Sequence, residues 1–586
     1  LGHPQATSAI APEAALKYPA VEMFADRARA VHPWFSVDEK NVGAVISICQ
    51  RLDGIPLAIE LAASRARTFD MNTLDRRLQR SFEDLSAGSN RLAPARHRTM
   101  LDAISWSVKL LADDEHRLLR RLSILGGSWT AETATSVCAW APATDASLRQ
   151  LLTQLVDKSL VIVDFSTGDV RYRLLQSTRD LVSAELAQHG DERNALMRKL
   201  YLYVAGLTGG DGRHDDGYVP AEDHGQQIDN NYENIVEVLR WCVTDRHDVA
   251  GGAQIVTRIA RHWIERGQLE EGALWLERTI ASCREAAEQV LMGDLYRARA
   301  LVATYSSDFE RTILACRRAL SAYPIEQQAR LAHVRSILGY ALCARGQLEQ
   351  AEIELNRSLE ISEKIDDRRG IARACGALAI VLGAGRSEFA AAELLLERAI
   401  AIFRELRDSP SLGRTLGILG ENCALSGALS TAVAYSERSA AIHRQTKNDA
   451  ALGQELSYQG HYMALLGRVE EARELLSRAA PMVVAYFSAL PAIALLDHVA
   501  FLALLSGQST DAASLFGASY GLETLHHVTR LPAIVQHWEV HRAAVQSVLG
   551  EPAYRVAWNR GRQHSFEEAV SLLVTPVLHA ADRANV

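Results

Sequence analysis

Apolar residues recur at helical spacing through most of the first 95 residues. The spacing predicts a helix over 38–52, with Val45 and Cys49 on its apolar face. Gly54 stands where a helix end favours a residue that tolerates positive φ. Pro56 stands where a first helical turn tolerates a missing N–H and a fixed φ. The same spacing predicts further helices over 19–30, 56–67 and 71–80. The segment is therefore a helical unit with a sharp corner at residues 54–56.

Residues 96–190 combine helical spacing with two β-rich runs. Helical patterns begin at Arg96 and at Asp113. The β-rich runs, 159–163 and 170–174, flank a turn that contains Gly168. Helices followed by a hairpin predict a winged helix. The segment is only mildly basic, so its signal for DNA contact is weak.

A period of about 40 residues runs through the second half of the chain. An arginine recurs at intervals of 40, 39, 41, 40 and 40 residues, in the series Arg278, Arg318, Arg357, Arg398, Arg438 and Arg478. A glycine precedes four of these arginines by eleven residues, and Gly507 continues the register. Small residues follow these glycines by five positions, as Gly272, Ala351, Ala432, Ala472 and Ala512 do. The period predicts at least six helix–turn–helix units with a glycine turn and a close helix crossing.

These units resemble tetratricopeptide repeats lengthened from 34 to about 40 residues. Such units stack into a superhelix whose concave face is a binding surface. We expect the arginine series to be structural, either on the solvent side of each second helix or paired with the neighbouring unit. The alternative is that the arginines of this series bind a ligand together.

Taken together, the patterns predict a mainly α chain. The predicted parts are a helical subdomain over 1–95, a winged helix over 96–190, a helical connector over 191–250, a repeat superhelix over 251–525 and a C-terminal helical cap over 526–586.

Composition and charge exclude several classes of protein. The chain has 586 residues, of which 48% are hydrophobic, and a formal net charge of −8. This balance leaves no chain-wide basic footprint for nucleic acid. No apolar run approaches the length of a membrane span, and the first residues lack the pattern of a signal peptide. The eight cysteines are widely spaced without a C-x-x-C pair, so we expect reduced core thiols.

His537 and His541 have the spacing of a metal-ligand pair, because positions i and i+4 lie on the same face of a helix. The zinc-protease pattern requires a Glu directly after the first His, and here Glu539 lies two residues on. With no third ligand nearby in the sequence, we expect no metal site.

The corner at residues 54–56 resembles a specific family. Residues 49–65 are similar to the "GLPLA" segment of NB-ARC/STAND signal-transducing NTPases, with Gly54-Ile55-Pro56-Leu57-Ala58 in its place. The stretches at 19–30, 96–107 and 558–573 resemble other parts of the bacterial regulators of that class. The resemblance implies an NB-ARC-type helical lid, a winged helix and a repeat domain in this order, in the LuxR/OmpR-associated branch.

The phosphate-binding half of an NB-ARC module has no counterpart in this sequence. A P-loop requires G-x-x-x-x-G-K-[S/T], and the chain contains no Gly-Lys pair. We therefore expect no NTPase activity and no cofactor in this chain; ATP or ADP would bind only if a nucleotide domain lies upstream. The resemblance then makes Pro56 a nucleotide contact, conditional on that domain.

The resemblance implies the regulatory and sensor portion of a STAND-type transcriptional regulator. A protein or small-molecule inducer would bind the concave face of the repeats, and DNA would be contacted only through a domain outside this chain. Oligomerisation on activation and a cytoplasmic location are expected, without membrane contact. Two alternatives stay open. One is a stand-alone repeat scaffold that has lost nucleotide switching, and the other is a fragment of an ATP-hydrolysing regulator whose P-loop lies upstream.

Overall fold

The structure is a computed structural model that is mainly α-helical, as predicted. It describes residues 1–4, 10–32, 34–52, 54, 56–63, 66, 70–80, 108, 111–158, 160–165, 169–209, 224–283 and 289–579. The helix predicted to begin at Arg96, the hairpin turn at Gly168 and the end of the chain beyond residue 579 lie outside these residues. The chain forms two compact units, Leu1–Leu207 with Gln227–Val238, and Thr208–Gln226 with Leu239–Val586.

The first unit consists mainly of helices, and those of its N-terminal part pack around one hydrophobic core. Its helices are α1 Pro12–Ala15, α2 Pro19–Val31, α3 Val42–Arg51, α4 Pro56–Ala63, α5 Met71–Arg80, α6 Asp113–Leu122, α7 Ala131–Cys138, α8 Asp145–Asp157, α9 Gln176–Gln188, α10 Gly190–Gly209, α11 His224–Asn230 and α12 Tyr232–Leu239. The predicted corner forms between α3 and α4. Gly54 takes φ +64° and donates its N–H to the Cys49 carbonyl at 3.1 Å, and Pro56 opens α4.

A three-stranded antiparallel sheet lies within this unit. Its strands are β1 Ser128–Trp129, β2 Val161–Asp164 and β3 Arg171–Leu174, in the order β1-β3-β2. Val161 pairs with Leu174 and Asp164 with Arg171, so the predicted hairpin is confirmed. Strand β1 was not predicted, because two residues are too few to show a strand period. The assignment of 96–190 to a winged helix stays a prediction.

The second unit is a TPR-like superhelix of seven helix pairs, followed by capping helices. The pairs are α13 Val249–Glu265 with α14 Leu269–Cys283, α15 Gln289–Tyr305 with α16 Phe309–Ala322, α17 Gln328–Ala344 with α18 Leu348–Lys364, α19 Arg368–Ile380 with α20 Phe389–Glu405, α21 Ser409–Leu425 with α22 Leu429–Gln445, α23 Asp449–Leu465 with α24 Val469–Ala485, and α25 Ala489–Leu505 with α26 Ser509–Leu525. The capping helices are α27 Pro532–Leu549, α28 Glu551–Arg562, α29 Phe566–Ala569 and α30 Thr575–Leu578. Three π-helical segments, Arg240–Thr244, Val381–Gly385 and Val570–Val574, complete the helical elements described here.

A residue with positive φ ends the first helix of every pair. The predicted glycines take φ from +69° at Gly267 to +91° at Gly427. In the second and fourth pairs, Ser307 (φ +59°) and Ser387 (φ +61°) hold the same position. These two turns were not predicted, because serine does not mark a left-handed position as glycine does, the residue with no Cβ penalty in this conformation.

The predicted close crossing of the two helices in a pair is present. Ala351, Ala432 and Ala472 are fully buried. On the opposing helix, a Cβ added at Gly339 would lie 2.4 Å from Cγ of Leu355 and 3.1 Å from the Ala351 carbonyl oxygen, so the two helices are too close for a larger residue at this position. The small residues therefore set the helix spacing along the array.

All eight cysteines are free and buried, as expected for core thiols. Among the described residues, no helix is both long enough and apolar enough to cross a membrane.

Candidate binding face of the repeat array

The first helices of the seven pairs form the inner face of the second unit. Each first helix, from α13 to α25, contacts the first helix of the next pair, whereas contacts between successive second helices are sparser. The more closely spaced helices of a stacked array line the inner side of its curve. Side chains on the first helices are therefore the candidates for ligand contact.

The array curves far enough for distant pairs to touch. The Ser488 hydroxyl, at the start of the seventh pair, donates to the Tyr305 carbonyl of the second pair at 2.8 Å. The guanidinium of Arg414, in the fifth pair, lies 5.2 Å from the centroid of the Tyr305 ring. Farther along, the Thr529 N–H donates to the Ala344 carbonyl of the third pair at 3.2 Å. The inner face consequently surrounds a narrow interior.

Five arginines and one histidine on this face form a group that we call the arginine belt. Its members are Arg261 on α13, Arg297 on α15, Arg330 and His333 on α17, and Arg369 and Arg373 on α19. Four consecutive first helices thus each place at least one guanidinium on the belt.

Three aspartates hold the belt in position. Asp294 accepts from Arg297 and from Arg330, each at 3.1 Å. The other two aspartates cap helices as well. Asp408 accepts the Ser411 N–H at 3.2 Å and lies 3.3 Å from Arg369.

The third aspartate, Asp367, accepts the Gly370 N–H at 2.9 Å and lies 3.7 Å from Arg373. Because these caps fix the carboxylates, the guanidinium groups that pair with them are also fixed.

The guanidinium groups of the belt act on the histidine at its centre. One guanidinium nitrogen of Arg297 lies 3.3 Å from Nδ1 of His333. Burial, reinforced by the guanidinium groups of Arg373, Arg297, Arg261 and Arg369, holds the pKa of His333 well below its ordinary value. The imidazole is therefore neutral at physiological pH.

The belt is also reached by solvent. The Arg261 side chain is 35% exposed, yet burial acts on its pKa more strongly than any other influence. Both observations fit a charge in a concave space, where protein surrounds the group on most sides and water enters on one. Glu265 and Tyr305 offset the burial, so the pKa is raised and the guanidinium stays charged.

Farther along the inner face lie two glutamates and two tyrosines. Burial raises the pKa of Glu421 to about 7 and that of Glu455 to about 8. The Tyr458 hydroxyl donates to Glu421 at 3.5 Å, and Tyr462 is buried beside it. Near neutral pH both carboxyl groups are therefore at least partly protonated.

Four histidine rings meet where the cap joins the sixth and seventh pairs. Nε2 of His461 lies 2.9 Å from Nε2 of His537, and the rings of His461 and His498 stack with centroids 4.7 Å apart. His541 packs against Phe501 at 4.3 Å. The fold therefore places His461 and His498 next to the pair of His537 and His541. Across the described residues, the cluster does not have the arrangement of a metal site.

The predicted arginine series lies elsewhere. All six of its members are exposed on second helices. Arg398 pairs with Glu363 of the preceding pair at 2.7 Å, and Arg278 lies over the Trp275 ring of its own helix at 5.1 Å. The predicted position of the series, on the solvent side of the second helices, is confirmed, and its structural role stays a prediction.

Pro56 is exposed at the start of α4. Its role as a nucleotide contact stays a prediction.

The arginine belt was not predicted, although the sequence contains a periodic signal for it. Arg261, Arg297, His333, Arg373 and Arg414 recur at intervals of 36, 36, 40 and 41 residues, which follow from their numbers. The series on the second helices has the more regular period and better matched neighbours, so it masked this one.

The first unit contains a separate cleft of about 640 Å³ between α6 and α10. The guanidinium groups of Arg117 and Arg121 lie 5.0 and 5.2 Å from the Trp140 ring. Arg121 also bonds Glu192 and the Ala139 carbonyl. These contacts hold α6, α7 and α10 together.

The fold and the inner face place the second unit among helical-repeat proteins of the tetratricopeptide class. The tetratricopeptide repeat family matches residues 329–405, which correspond to the third and fourth helix pairs.

Relatives of the chain include a named regulator. A protein of Mycobacterium tuberculosis named as an HTH-type transcriptional regulator is 34% identical over 287 residues, covering 48% of this chain and 31% of that protein. A second protein from this species, described as uncharacterized, is 35% identical over 192 residues, covering 32% of this chain and 48% of that protein. The chain thus spans less than half the length of these curated relatives.

Two solved structures align with the chain at low identity. The STAND protein with a tetratricopeptide repeat sensor from Pyrococcus horikoshii aligns with 96% of this chain and 72% of its own, at a TM-score of 0.44 and 14% identity. A Rap protein complexed with competence and sporulation factor aligns with 66% of this chain and 97% of its own, at a TM-score of 0.42 and 13% identity.

Proposed function

We propose that this chain is the regulatory and sensor portion of a STAND-type transcriptional regulator, and that the inner face of its repeats binds the inducer or partner. The observation that carries the proposal is the arginine belt on the first helices, held by aspartates and reached by solvent. A polar surface that is fixed in place before binding loses little conformational entropy when a ligand arrives. The 34% identity to a protein named as a transcriptional regulator supports a regulatory role.

The remaining parts of the mechanism depend on sequence outside this chain. A nucleotide domain upstream would bind ATP or ADP, with Pro56 as one contact, and DNA would be bound by a further domain. Ligand binding to the repeats would then shift the protein between inactive and active conformations, because a ligand stabilises the state that binds it better. The chain itself would catalyse no reaction.

Transcript profiling of the intact gene in its own host tests this proposal. Four strains would be compared: wild type, a deletion, an inner-face double variant (Arg297→Ala, Arg373→Ala), and an outer-face double variant (Arg278→Ala, Arg438→Ala). Both double variants remove two arginines, and immunoblotting would check that the protein levels match.

We expect the deletion to change a defined set of transcripts and the inner-face variant to change the same set. The outer-face variant should match the wild type. If the deletion alters no transcripts, the regulatory proposal is wrong, and a stand-alone repeat scaffold becomes the better explanation. If the inner-face variant matches the wild type while the deletion does not, the inner face is not the input site.

A further inference from the structure

We propose that helix α27, Pro532–Leu549, is an autoinhibitory element of the repeat array. It occupies the inner face from the third pair to the seventh, and an amphipathic helix of a partner protein replaces it there. This inference rests on the proposed function in taking the inner face as the binding surface. It adds the kind of partner and the way in which the chain regulates access to that face.

The chain crosses the array just before α27 begins. From the end of the seventh pair, the segment 526–531 reaches the third pair, where the Thr529 N–H donates to the Ala344 carbonyl at 3.2 Å. The Arg345 guanidinium donates to the His527 carbonyl at 2.6 Å. Helix α27 then contacts the π-helical segment that follows α19, the first helices α21 and α25, and the second helix α26. It therefore runs along the inner face.

Residues that α27 and the end of the preceding segment turn toward the array have the spacing of one helix face. They recur at intervals of 3, 4, 3 and 4 residues, in the series Leu531, Ile534, Trp538, His541 and Val545. Leu531, Trp538 and Val545 are buried, and the other two are partly buried. An amphipathic helix that lies in a groove presents such a seam.

The seam contacts pairs that are far apart in the array. Leu531 belongs to a buried cluster with residues of the third and fourth pairs. The Trp538 ring lies 4.8 Å from the His461 ring of the sixth pair, measured between centroids. In the seventh pair, the Phe501 ring lies 4.3 Å from the His541 ring. Release of this one helix would therefore free the inner face across several pairs.

Helix α27 is held less firmly than the helices of the array. Three of its 18 residues are buried, whereas twelve of the 17 residues of α25 are buried. On its outer side, Val540 and Val548 are 65% and 67% exposed. Because burial of an apolar face supplies most of the stability of a helix in a fold, we expect α27 to open at a lower free energy than its neighbours.

The chain on either side of α27 stays anchored when this helix opens. Before it, Arg530 pairs with Asp497 at 2.7 Å and donates to the Ser519 hydroxyl at 2.7 Å. After it, α28 packs against α26 through Gly561. A tethered helix has a high effective concentration at its own binding face. It therefore competes with any partner for that face, which is the property of an autoinhibitory element.

The fit of α27 to the face leaves polar groups unsatisfied. Among the described residues, Nδ1 of His461 and Oδ1 of Asp497 are buried without a hydrogen-bond partner. His461 uses its other ring nitrogen to contact His537 of α27 at 2.9 Å. A buried polar atom without a partner costs free energy. A partner helix with a polar side chain at this point would satisfy such an atom and could then displace α27.

Hydrogen exchange of the purified full chain, measured by mass spectrometry, tests whether α27 opens. After correction for intrinsic rates, we expect the amides of α27 to exchange at least about 10-fold faster than those of α25. A helix that serves only as a structural cap would open together with its neighbours. Equal protection of α27 and α25 overturns the proposal.

A labelled peptide with the sequence of residues 529–549 tests whether the freed face binds a helix. Fluorescence anisotropy would compare its binding to three full chains: wild type, Trp538→Ala, and the exposed control Val540→Ala. Loss of the buried Trp538 ring weakens the chain's own helix, so we expect Trp538→Ala to bind the peptide at least about 10-fold more tightly than the wild type. The control should differ from the wild type by less than about 2-fold.

A second peptide shows whether binding uses the seam. It carries the Trp538→Ala change itself, and we expect it to bind the Trp538→Ala chain at least about 10-fold more weakly than the unchanged peptide does. Circular dichroism would check that each chain is folded. If Trp538→Ala unfolds the chain, Leu531→Ala, which weakens the other end of the seam, replaces it in the same comparison.

The proposal is also overturned if the peptide binds none of the chains, or if it binds the weakened variant and the wild type equally. The transcript experiment changes Arg297 and Arg373 and leaves α27 intact. Failure of the exchange and peptide tests therefore leaves the proposed function standing, and a deletion without effect on transcripts would refute the proposed function alone.

Discussion

Single residues at the turns of the array hold a left-handed backbone conformation. Ser387 holds φ +61° at a position where most pairs have glycine. A left-handed conformation costs a residue with a Cβ roughly 1–2 kcal/mol, and the exposed Ser387 side chain is not needed for packing.

We therefore predict that Ser387→Gly stabilises the chain by up to about 1 kcal/mol. This figure is what remains of the relieved penalty after the larger backbone entropy that glycine loses on folding is subtracted. Chemical denaturation of both proteins would measure the difference. The reverse change, Gly427→Ser at φ +91°, should destabilise the chain. If both changes shift stability in the same direction, backbone strain is not what distinguishes these turns.

Buried acids on the inner face impose a cost that depends on pH. Glu455 has a pKa of about 8 in the fold, raised chiefly by burial, against about 4.3 in an unfolded chain. The folded state therefore resists ionisation, and stability is lost as the pH rises through this window.

A glutamine at position 455 cannot ionise, so Glu455→Gln should gain stability over the wild type as the pH rises. Between pH 5 and pH 8 we expect this gain to grow by on the order of 2–4 kcal/mol. Urea denaturation at both pH values would measure it. An exposed glutamate on the neighbouring helix, changed by Glu437→Gln, is the control and should show no such growth. An equal gain at both pH values would contradict the prediction.

At the scale of elements, glycines decide where helices can touch. Helix α28 packs against α26 through Gly561, where an added Cβ would lie 1.7 Å from the Ser514 carbonyl oxygen. Gly376, in the middle of α19, has no atom within 4 Å of such a Cβ outside its own helix. The two positions therefore give opposite expectations for the same substitution.

We predict that Gly561→Ala destabilises the cap by roughly 1–3 kcal/mol, since backbone must move to admit the methyl group. Gly376→Ala should stabilise the chain by about 0.5–1 kcal/mol, because alanine favours the helix. Thermal unfolding of both variants would show the contrast. Equal destabilisation by both would mean that helix contact is not what requires glycine at 561.

Across the second unit as a whole, buried histidines should make the fold sensitive to acid. Burial lowers the pKa of His498 to about 3 and that of His541 to about 4. The pKa of His461 also lies well below its ordinary value, because of burial and then because of the neighbouring histidine rings. The unfolded chain binds protons near pH 6.5, so the stability from these rings is complete above that pH. It is lost progressively as the pH falls toward 4.

We predict that the thermal midpoint of the chain falls between pH 6.5 and pH 4.5, and that His541→Phe makes this fall shallower. Phenylalanine preserves the contact of ring 541 with Phe501 but takes up no proton. Calorimetric scans at several pH values would measure both slopes. An unchanged slope in the variant would show that this ring does not take part in acid unfolding.

The amino-acid sequence by itself determined the elements that depend on local pattern. The 40-residue period located the repeats, and glycine marked five of the seven turns, because a left-handed residue and a close helix crossing each demand a particular residue type. The corner at Gly54 and the hairpin were readable for the same reason. The cysteines were assigned correctly as buried thiols.

Only the tertiary structure decided which distant residues meet. The arginine belt contains side chains from four helices. The histidine cluster contains His461 and His498 together with His537 and His541, of which the sequence pattern indicated only the last two. The contact of Ser488 with Tyr305 closes a separation of 183 residues. Each of these depends on the curvature of the array, which is the sum of small rotations between stacked pairs. No local pattern encodes that sum, so the candidate site became visible only in three dimensions.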